Sequence, residues 1–392
     1  MTVNRQVELQ PIRLSNNVTI DWPVALAPMA GVTDAVFRGL CRDHGCGYAT
    51  TEFARDRALL MGVPQQLALI DIETDVRPVG VQIFGADPDE MRRGAALVVE
   101  RVAPDVLDIN MGCPAPKVTN GQGGSSLLKE PARAAAITAA IVREIAPVPV
   151  TVKIRVGWDE LHKAAGAAVE VARRVVDAGA QLITVHGRTR QQKYEGEACW
   201  DTISAVAAAV PVPVLGNGDI STPLEAAHRL RTSGCRGIAI GRGARGRPWL
   251  FAHIKTHLQG QPPPPEPPPS QRIAIGLEHV RRQRAAAIAY LRQNPTWAAR
   301  PETELLREAD RRAVGGLLPH VMWYVWGIPG VTAVRRVLSR ARTATQMAEI
   351  LTDFEAHQHL YAAADRAAGR TDADDAPPGS ADTCALAWSR ST

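Results

Sequence analysis

Asp105-Val-Leu-Asp-Ile-Asn-Met-Gly-Cys-Pro-Ala-Pro-Lys-Val-Thr-Asn-Gly-Gln-Gly-Gly-Ser-Ser126 is the stretch on which the fold turns. It opens as a short apolar run that reads as a buried strand and ends at Asn110. It then breaks into a loop rich in Gly and Pro that carries one thiol, Cys113. Helical spacing follows over residues 131–145, so the stretch reads as one strand–loop–helix unit of a parallel sheet. On its own this loop leaves two readings of Cys113 open, a reactive side chain or a small core residue, because free cysteine is usually buried.

Outward from that stretch the unit repeats. Strand-like apolar runs recur at residues 24–30, 48–53, 79–85, 106–112, 148–156, 182–187, 212–216 and 237–241. Between them lie segments with helical spacing at 35–43, 88–102, 131–145, 164–178, 200–210 and 222–232. Gly45, Gly179 and Gly234 stand where a helix ends in a left-handed residue before the next strand. Eight such runs over ~220 residues predict an α/β fold, a (β/α)8 TIM barrel. A doubly wound sheet is the competitor, but no G-x-G-x-x-G follows the first strand.

A barrel places function at the C-terminal ends of its strands. Those ends carry Pro28 and Met29, Thr51-Glu52, Gln82, Asn110 and Cys113, Lys153 and Arg155, His186, Asn217-Gly218-Asp219, and Gly241-Arg242. Burying so many polar groups without partners would cost several kcal/mol in total, so a purely structural barrel has no reason to hold them. The glycine-rich turns after the last two strands suit a phosphate held by backbone N–H groups, with Arg242 adding charge. Gln82, Asn110, Lys153 and His186 would then line the ring end of a phosphorylated planar cofactor. The chain has six Lys against thirty-nine Arg, so a Lys here points to a compact charge beside the ring. FMN fits these parts and a dinucleotide fits them less well.

Composition bounds the rest. The 392 residues are 45% hydrophobic and 22% charged, as in a soluble globular protein. Six scattered cysteines without a CxxC pair argue against a disulfide framework and against a metal site. Neither a signal peptide nor a run of ~18 apolar residues is evident, so the expectation is a cytoplasmic protein with no membrane contact. Residues 262–269 are seven Pro and one Glu, a stiff polyproline spacer. Helical spacing then resumes at 273–293, 302–315, 319–326, 331–341 and 346–364. The expected organisation is a catalytic barrel over 1–260, a linker over 261–270, a helical domain over 271–364 and a disordered tail over 365–392. The formal charge is +5 overall, and residues 271–360 alone carry thirteen Arg against eight acids. That is either a footprint for nucleic acid or this chain's general preference for Arg.

Five motifs in order carry a family resemblance: Ala27-Pro-Met-Ala-Gly-Val-Thr-Asp-Ala-Val-Phe-Arg38, Asn110-Met-Gly-Cys-Pro-Ala-Pro-Lys-Val118, Val152-Lys-Ile-Arg-Val-Gly157, His186-Gly-Arg-Thr-Arg190 and Gly241-Arg-Gly-Ala-Arg-Gly-Arg-Pro-Trp249. The chain resembles the tRNA-dihydrouridine synthases, the bacterial B-type branch most of all. The resemblance implies reduction of particular tRNA uridines to 5,6-dihydrouridine, with NADPH as electron source. Reduced FMN would give a hydride to C6 and Cys113 a proton to C5, with the thiol protonated at neutral pH as its ordinary pKa allows. It further implies Asn110, Arg155 and Tyr194 as uracil-binding residues. Pro28, Met29, Gln82, Lys153, His186, Asn217, Gly218, Gly241 and Arg242 match FMN-binding positions. The helical domain would be a second grip on tRNA, and no obligate protein partner is evident. The chain departs from the family pattern at Leu317-Leu318-Pro319 before His320, where Arg-Lys is usual, and residues 294–313 look inserted. The rival readings are an FMN barrel acting on a free pyrimidine or other small molecule, and a non-catalytic RNA-binding barrel. Arg245 and Arg247, expected at the rim of the barrel mouth, favour RNA.

Overall fold

Each of the eight apolar runs contains a strand: Val24–Leu26 (β1), Tyr48–Thr50 (β2), Val79–Phe84 (β3), Val106–Met111 (β4), Val150–Arg155 (β5), Leu182–His186 (β6), Val214–Asn217 (β7) and Gly237–Ile240 (β8). The computed structural model describes residues 8–15 and 17–369. Every strand pairs in parallel with the next, and β8 returns to β1, which closes the sheet into a (β/α)8 barrel. A two-residue strand, Ala54–Arg55, adds to the outer end of β3. Side chains alternate along each strand. Leu107 and Ile109 on β4, Val152 and Ile154 on β5, and Ile183 and Val185 on β6 are fully buried under the surrounding helices. The alternate set, Asp108 and Asn110, Thr151, Lys153 and Arg155, Thr184 and His186, therefore shares the barrel interior.

The helices begin where their caps sit. Asp34 accepts from the Phe37 amide ahead of Ala35–Asp43, and Asp87 accepts from Asp89 and Glu90 ahead of Pro88–Val102. Thr222 and Glu225 form a reciprocal capping box at Pro223–Thr232. Gly45, Gly179 and Gly234 all have positive φ, as their C-terminal positions require. Two expectations are corrected here. The first strand stops at Leu26 rather than at residue 30, because Pro28 has no N–H for the ladder. Thr33 then folds the chain back by accepting from the Met29 amide at 2.9 Å. The helix expected over 164–178 is two helices, Glu160–Ala164 and Ala167–Asp177, divided at left-handed Gly166.

Ile12–Arg13 and Thr19–Ile20 form a small hairpin, which packs Ile12, Leu14, Val18 and Ile20 against Val106, Leu182, Leu215 and Ala239. It plugs the end of the barrel opposite the strand termini. The opening residues 1–7 lie outside the described residues.

The chain divides into two compact units. One runs through Ala244 and resumes over Pro248–Pro264; the other takes Arg245–Arg247 and the described residues from Pro265 to Gly369. The second unit is helical, centred on the 25-residue helix Pro269–Gln293, with Ile273, Leu317, Val321, Val334, Met347 and Phe354 in its core. Pro319 does not start a helix as expected; it lies inside Val314–Tyr324. The carbonyl that a helical proline crowds belongs here to Gly315, in the first turn of that helix. Residues 294–313 form Pro295–Ala298 and Glu302–Arg312, joined to the long helix by a small cluster of Leu291, Leu305 and Ala309. The last described helix runs to Ala367, past the expected start of the tail, and the rest of that tail lies outside the described residues. Among the described residues no helix is long and apolar enough to cross a membrane.

Candidate active site

The strand register sets the site before any side chain is considered. Arg155 pairs with His186, and His186 with Asn217, so three polar residues on β5, β6 and β7 stand level at the open end of the barrel. One step below, Asn110 pairs with Lys153. Lys153 Nζ donates to Asn217 Oδ1 at 3.3 Å, and Asn217 Nδ2 donates to the Ala239 carbonyl at 2.7 Å. Met29 Sδ and Asn217 Nδ2 both lie just under 4 Å from where a side chain on Gly241 would begin. The ends of β1, β5, β7 and β8 are thereby drawn together.

Asn110 holds the loop that follows it. Its Oδ1 accepts from the amides of Gly112 at 3.1 Å and Cys113 at 2.8 Å, while its Nδ2 donates to Gln82 Oε1 at 2.8 Å. The Cys113 carbonyl accepts from the amide and the hydroxyl of Ser125, at 3.1 and 2.9 Å. Cys113 is thus 8% exposed and tied on both sides of its peptide unit. Arg155 also spans two loops. It donates through Nε to the Gly112 carbonyl at 2.8 Å, and through Nη1 to Thr189 and Lys193 carbonyls at 2.9 and 2.7 Å. Tyr194 lies over it, with the Arg155 guanidinium 5.5 Å and the Arg242 guanidinium 5.4 Å from the ring centre.

The electrostatics favour an anion. Lys153, Arg155, Arg188 and Arg242 all act on His186, which burial and these four cations hold well below its ordinary pKa, so its imidazole is neutral. Burial, then Arg155, bring Lys153 down to about 8, and burial brings Arg155 down to about 10. Against them stands Asp219, which accepts from Arg188 at 2.7 Å and faces Arg242 at 3.4 Å. Arg188 Nη1 is buried and has no hydrogen-bond partner among the described residues. Buried cations in excess of their acids, with a donor left over, fit a phosphate-bearing ligand. Gly218 has φ +137°, and a Cβ there would come within 2.6 Å of Ala198, so only glycine lets this turn close.

All thirteen residues singled out in the sequence lie on this face of the barrel, at the strand ends or in the loops that follow them. Three more belong with them: Asp108, Arg188, and Glu52, the last already marked by its place at a strand end. Asp108, two residues before Asn110, accepts from Gln82 and Thr151, and burial raises its pKa. The period of two could have found it. Arg188, in the His-Gly-Arg-Thr-Arg motif, is 3% exposed and pairs with Asp219. Glu52 accepts from the Gly31 amide at 2.5 Å, and burial pushes its carboxyl up to about 7. Arg245 and Arg247 are engaged inside the helical unit instead: Arg245 lies over the Trp323 ring and Arg247 pairs with Glu266. A larger open groove of about 660 Å³ lies in that unit between the helices Pro269–Gln293 and Ala344–Ala356. Leu277, Val280, Ala344 and Ala348 line it together with Arg281, Arg284, Glu349, Asp353 and His357.

Residues 25–360 match the sequence model of the dihydrouridine synthase (Dus) family. tRNA-dihydrouridine synthase B of Xanthomonas campestris pv. campestris is 38% identical over 76% of this chain and 88% of its own. The protein of the same name from Pseudomonas aeruginosa is 36% identical over 90% of this chain and 97% of its own. Among solved structures, histamine dehydrogenase from Rhizobium sp. 4-9 is 14% identical, with a TM-score of 0.47 over 64% of this chain and 48% of its own.

Proposed function

This chain belongs to the dihydrouridine synthase family, and from that premise we propose that it reduces the 5,6 double bond of particular uridines in tRNA. FMN is the proposed cofactor and NADPH the reductant. The observation that carries the reading is the meeting of Cys113, Asn110, Arg155 and Tyr194 with three further buried or half-buried cations, Lys153, Arg188 and Arg242, at one barrel rim.

When bound, FMN supplies the electron pair for the reduction. Lys153, Arg188 and Arg242 provide the positive charge that a phosphate and an electron-rich ring require. Asn217 and Gln82 supply amide groups that hydrogen-bond a ring edge, and Pro28 and Met29 supply apolar surface. Neutral His186 can donate one hydrogen bond without adding a fifth charge. Cys113 Sγ holds the proton destined for C5 of the base. Arg155 keeps Nη2 for a carbonyl oxygen of the uracil, and Asn110 Nδ2, which gives one hydrogen to Gln82, keeps its second for the base edge. Donors aimed at both uracil carbonyls reject cytosine, which offers an amine at one of those places. The uridine must leave its stack to reach this rim, so most affinity comes from the phosphate backbone and from tRNA shape. The helical unit is the proposed second grip.

The test uses unmodified tRNA transcript, FMN and NADPH, with dihydrouridine read by mass spectrometry. Dihydrouridine is expected in the tRNA and negligible turnover on free uracil; comparable turnover on free uracil would sink the tRNA assignment. Cys113→Ala is expected to keep tRNA binding and lower dihydrouridine formation by about 10²–10⁴-fold, the usual worth of a positioned general acid. Full activity in that variant would remove the proton-donor role.

A further inference from the structure

Asp108 is buried on the inner face of β4, in the middle of an apolar run, and its side-chain hydrogen bonds go to Gln82 and Thr151. It begins a directed chain of hydrogen bonds. Gln82 Nε2 donates to Asp108 Oδ2 at 2.5 Å, Asn110 Nδ2 donates to Gln82 Oε1 at 2.8 Å, and the Cys113 amide donates to Asn110 Oδ1 at 2.8 Å. Thr151 fixes the far end by donating its hydroxyl to Asp108 Oδ1 at 2.5 Å. The strand register makes this possible, since Asp108 pairs with Gln82 on one side and Thr151 on the other.

The direction matters because a side-chain amide has a donor end and an acceptor end, and either can face either way. An ionised carboxylate has acceptors alone. Set against Gln82, it forces the amine of Gln82 inward and its carbonyl toward Asn110. That in turn forces the amine of Asn110 toward Gln82 and its carbonyl toward the loop. Reversing either amide would aim Asn110 Nδ2 at the Gly112 and Cys113 amides, donor against donor. Burial raises the Asp108 pKa, while Thr151, Gln82 and Lys153 oppose that rise. The direction requires Oδ2 to accept from Gln82, as it does here; the ionised form meets that outright, and a neutral Asp108 meets it with its proton on Oδ1, facing Thr151.

We propose that Asp108 is a positioning residue for the Cys113 loop, acting through the amide orientations of Gln82 and Asn110. The consequence for catalysis rests on Cys113 being the proton donor; the geometric claim does not.

The test is hydrogen exchange of the Gly112 and Cys113 amides, read by mass spectrometry on the full chain without tRNA. Asp108→Leu removes the acceptor at similar volume and is expected to speed this exchange about tenfold, the worth of one hydrogen bond. Asn110→Ala is expected to do the same, and the double variant to add nothing further, because both act on the same two bonds. Unchanged exchange in Asp108→Leu, or additive effects in the pair, would overturn the proposal. Should Asp108→Leu fail to fold, Gln82→Leu, which cuts the chain between Asp108 and Asn110, takes its place in the cycle: faster exchange that does not add to Asn110→Ala supports the assignment, and unchanged exchange overturns it. Turnover is then compared. A fall in kcat at constant KM for tRNA is expected in Asp108→Leu. Faster exchange with undiminished kcat would leave Asp108 as the positioning residue and remove Cys113 from the chemistry.

Discussion

Lys153 on β5 reaches past β6 to donate to Asn217 on β7, Nζ to Oδ1 at 3.3 Å. Two strands that are not neighbours therefore meet inside the barrel through a cation that burial has brought down from 10.5 to about 8. An anion bound beside it favours the protonated form, so flavin affinity is expected to fall as pH rises through about 8. Lys153→Met removes that titration. Equilibrium binding of FMN between pH 7 and 9 checks both: a falling affinity in the native chain, and a weaker, flat one in the variant. A pH-independent native affinity would move Lys153 away from the cofactor.

His186 gives a prediction in stability. Its folded pKa lies well below the ordinary 6.5, because burial and four cations oppose a further charge. Below about pH 6.5 the unfolded chain takes up a proton that the folded chain refuses, so this residue's contribution is lost as pH falls. Glu52 acts in the opposite sense, since its raised pKa of about 7 stabilises the fold on acidification. The informative quantity is thus a difference between two proteins. The unfolding free energy of His186→Gln minus that of the native chain should rise on going from pH 6.5 to 5, by up to about 1.4 kcal/mol per pH unit. An unchanging difference would mean that His186 titrates normally.

What the sequence disclosed follows from how the barrel is built. Strands covered on both faces read as nearly continuous apolar runs, which is why all eight were legible, and loops after them expose their polar residues as breaks in those runs. The same property hid Asp108. Inside Val106–Met111 a single acid looks like an interruption until closure of the barrel decides which face is inside. Arg188 was hidden for another reason: its partner, Asp219, is thirty-one residues away on the next strand's loop, and no local pattern records that pairing. Pro319 misled because proline at a helix start is the commoner case, whereas this helix begins five residues earlier, at Val314.

The Arg188–Asp219 pair is expected to behave as a buried bridge broken from one side. Arg188 is 3% exposed, while the carboxylate is 32% exposed and also accepts from the Ala198 amide at 2.6 Å. Asp219→Asn would leave Arg188 and Arg242 facing each other without their acid. Such losses cost about 3–5 kcal/mol, and the partial exposure of Asp219 places this one near about 3. Combining Asp219→Asn with Arg188→Met should recover part of that cost, as urea unfolding of the two variants will show. Equal instability of the single and double variants would argue that Asp219 matters for its turn and not for its charge.

The helical unit supports a sharper prediction than its overall charge did. Much of its arginine is answered within the unit: Arg281 and Arg282 pair with Glu278, Arg311 and Arg312 with Glu308, Arg292 with Glu302, and Arg284 with Asp310. Arg336, Arg340 and Arg342 are exposed and have no acidic partner among the described residues. They follow one another along the helix Val331–Leu338 and the turn after it. If RNA phosphates are gripped here, these three release counterions on binding, and each replaced contact reduces the salt slope by about 0.7–0.9. The triple variant to Ala is expected to weaken tRNA binding at low salt and to lower the slope of log Kd against log salt by about 2. Arg281→Ala with Arg311→Ala, which removes paired arginines, should leave the slope nearly unchanged. The reverse pattern would mean that the paired arginines exchange their acids for phosphate on binding, and that the open trio is not the RNA contact.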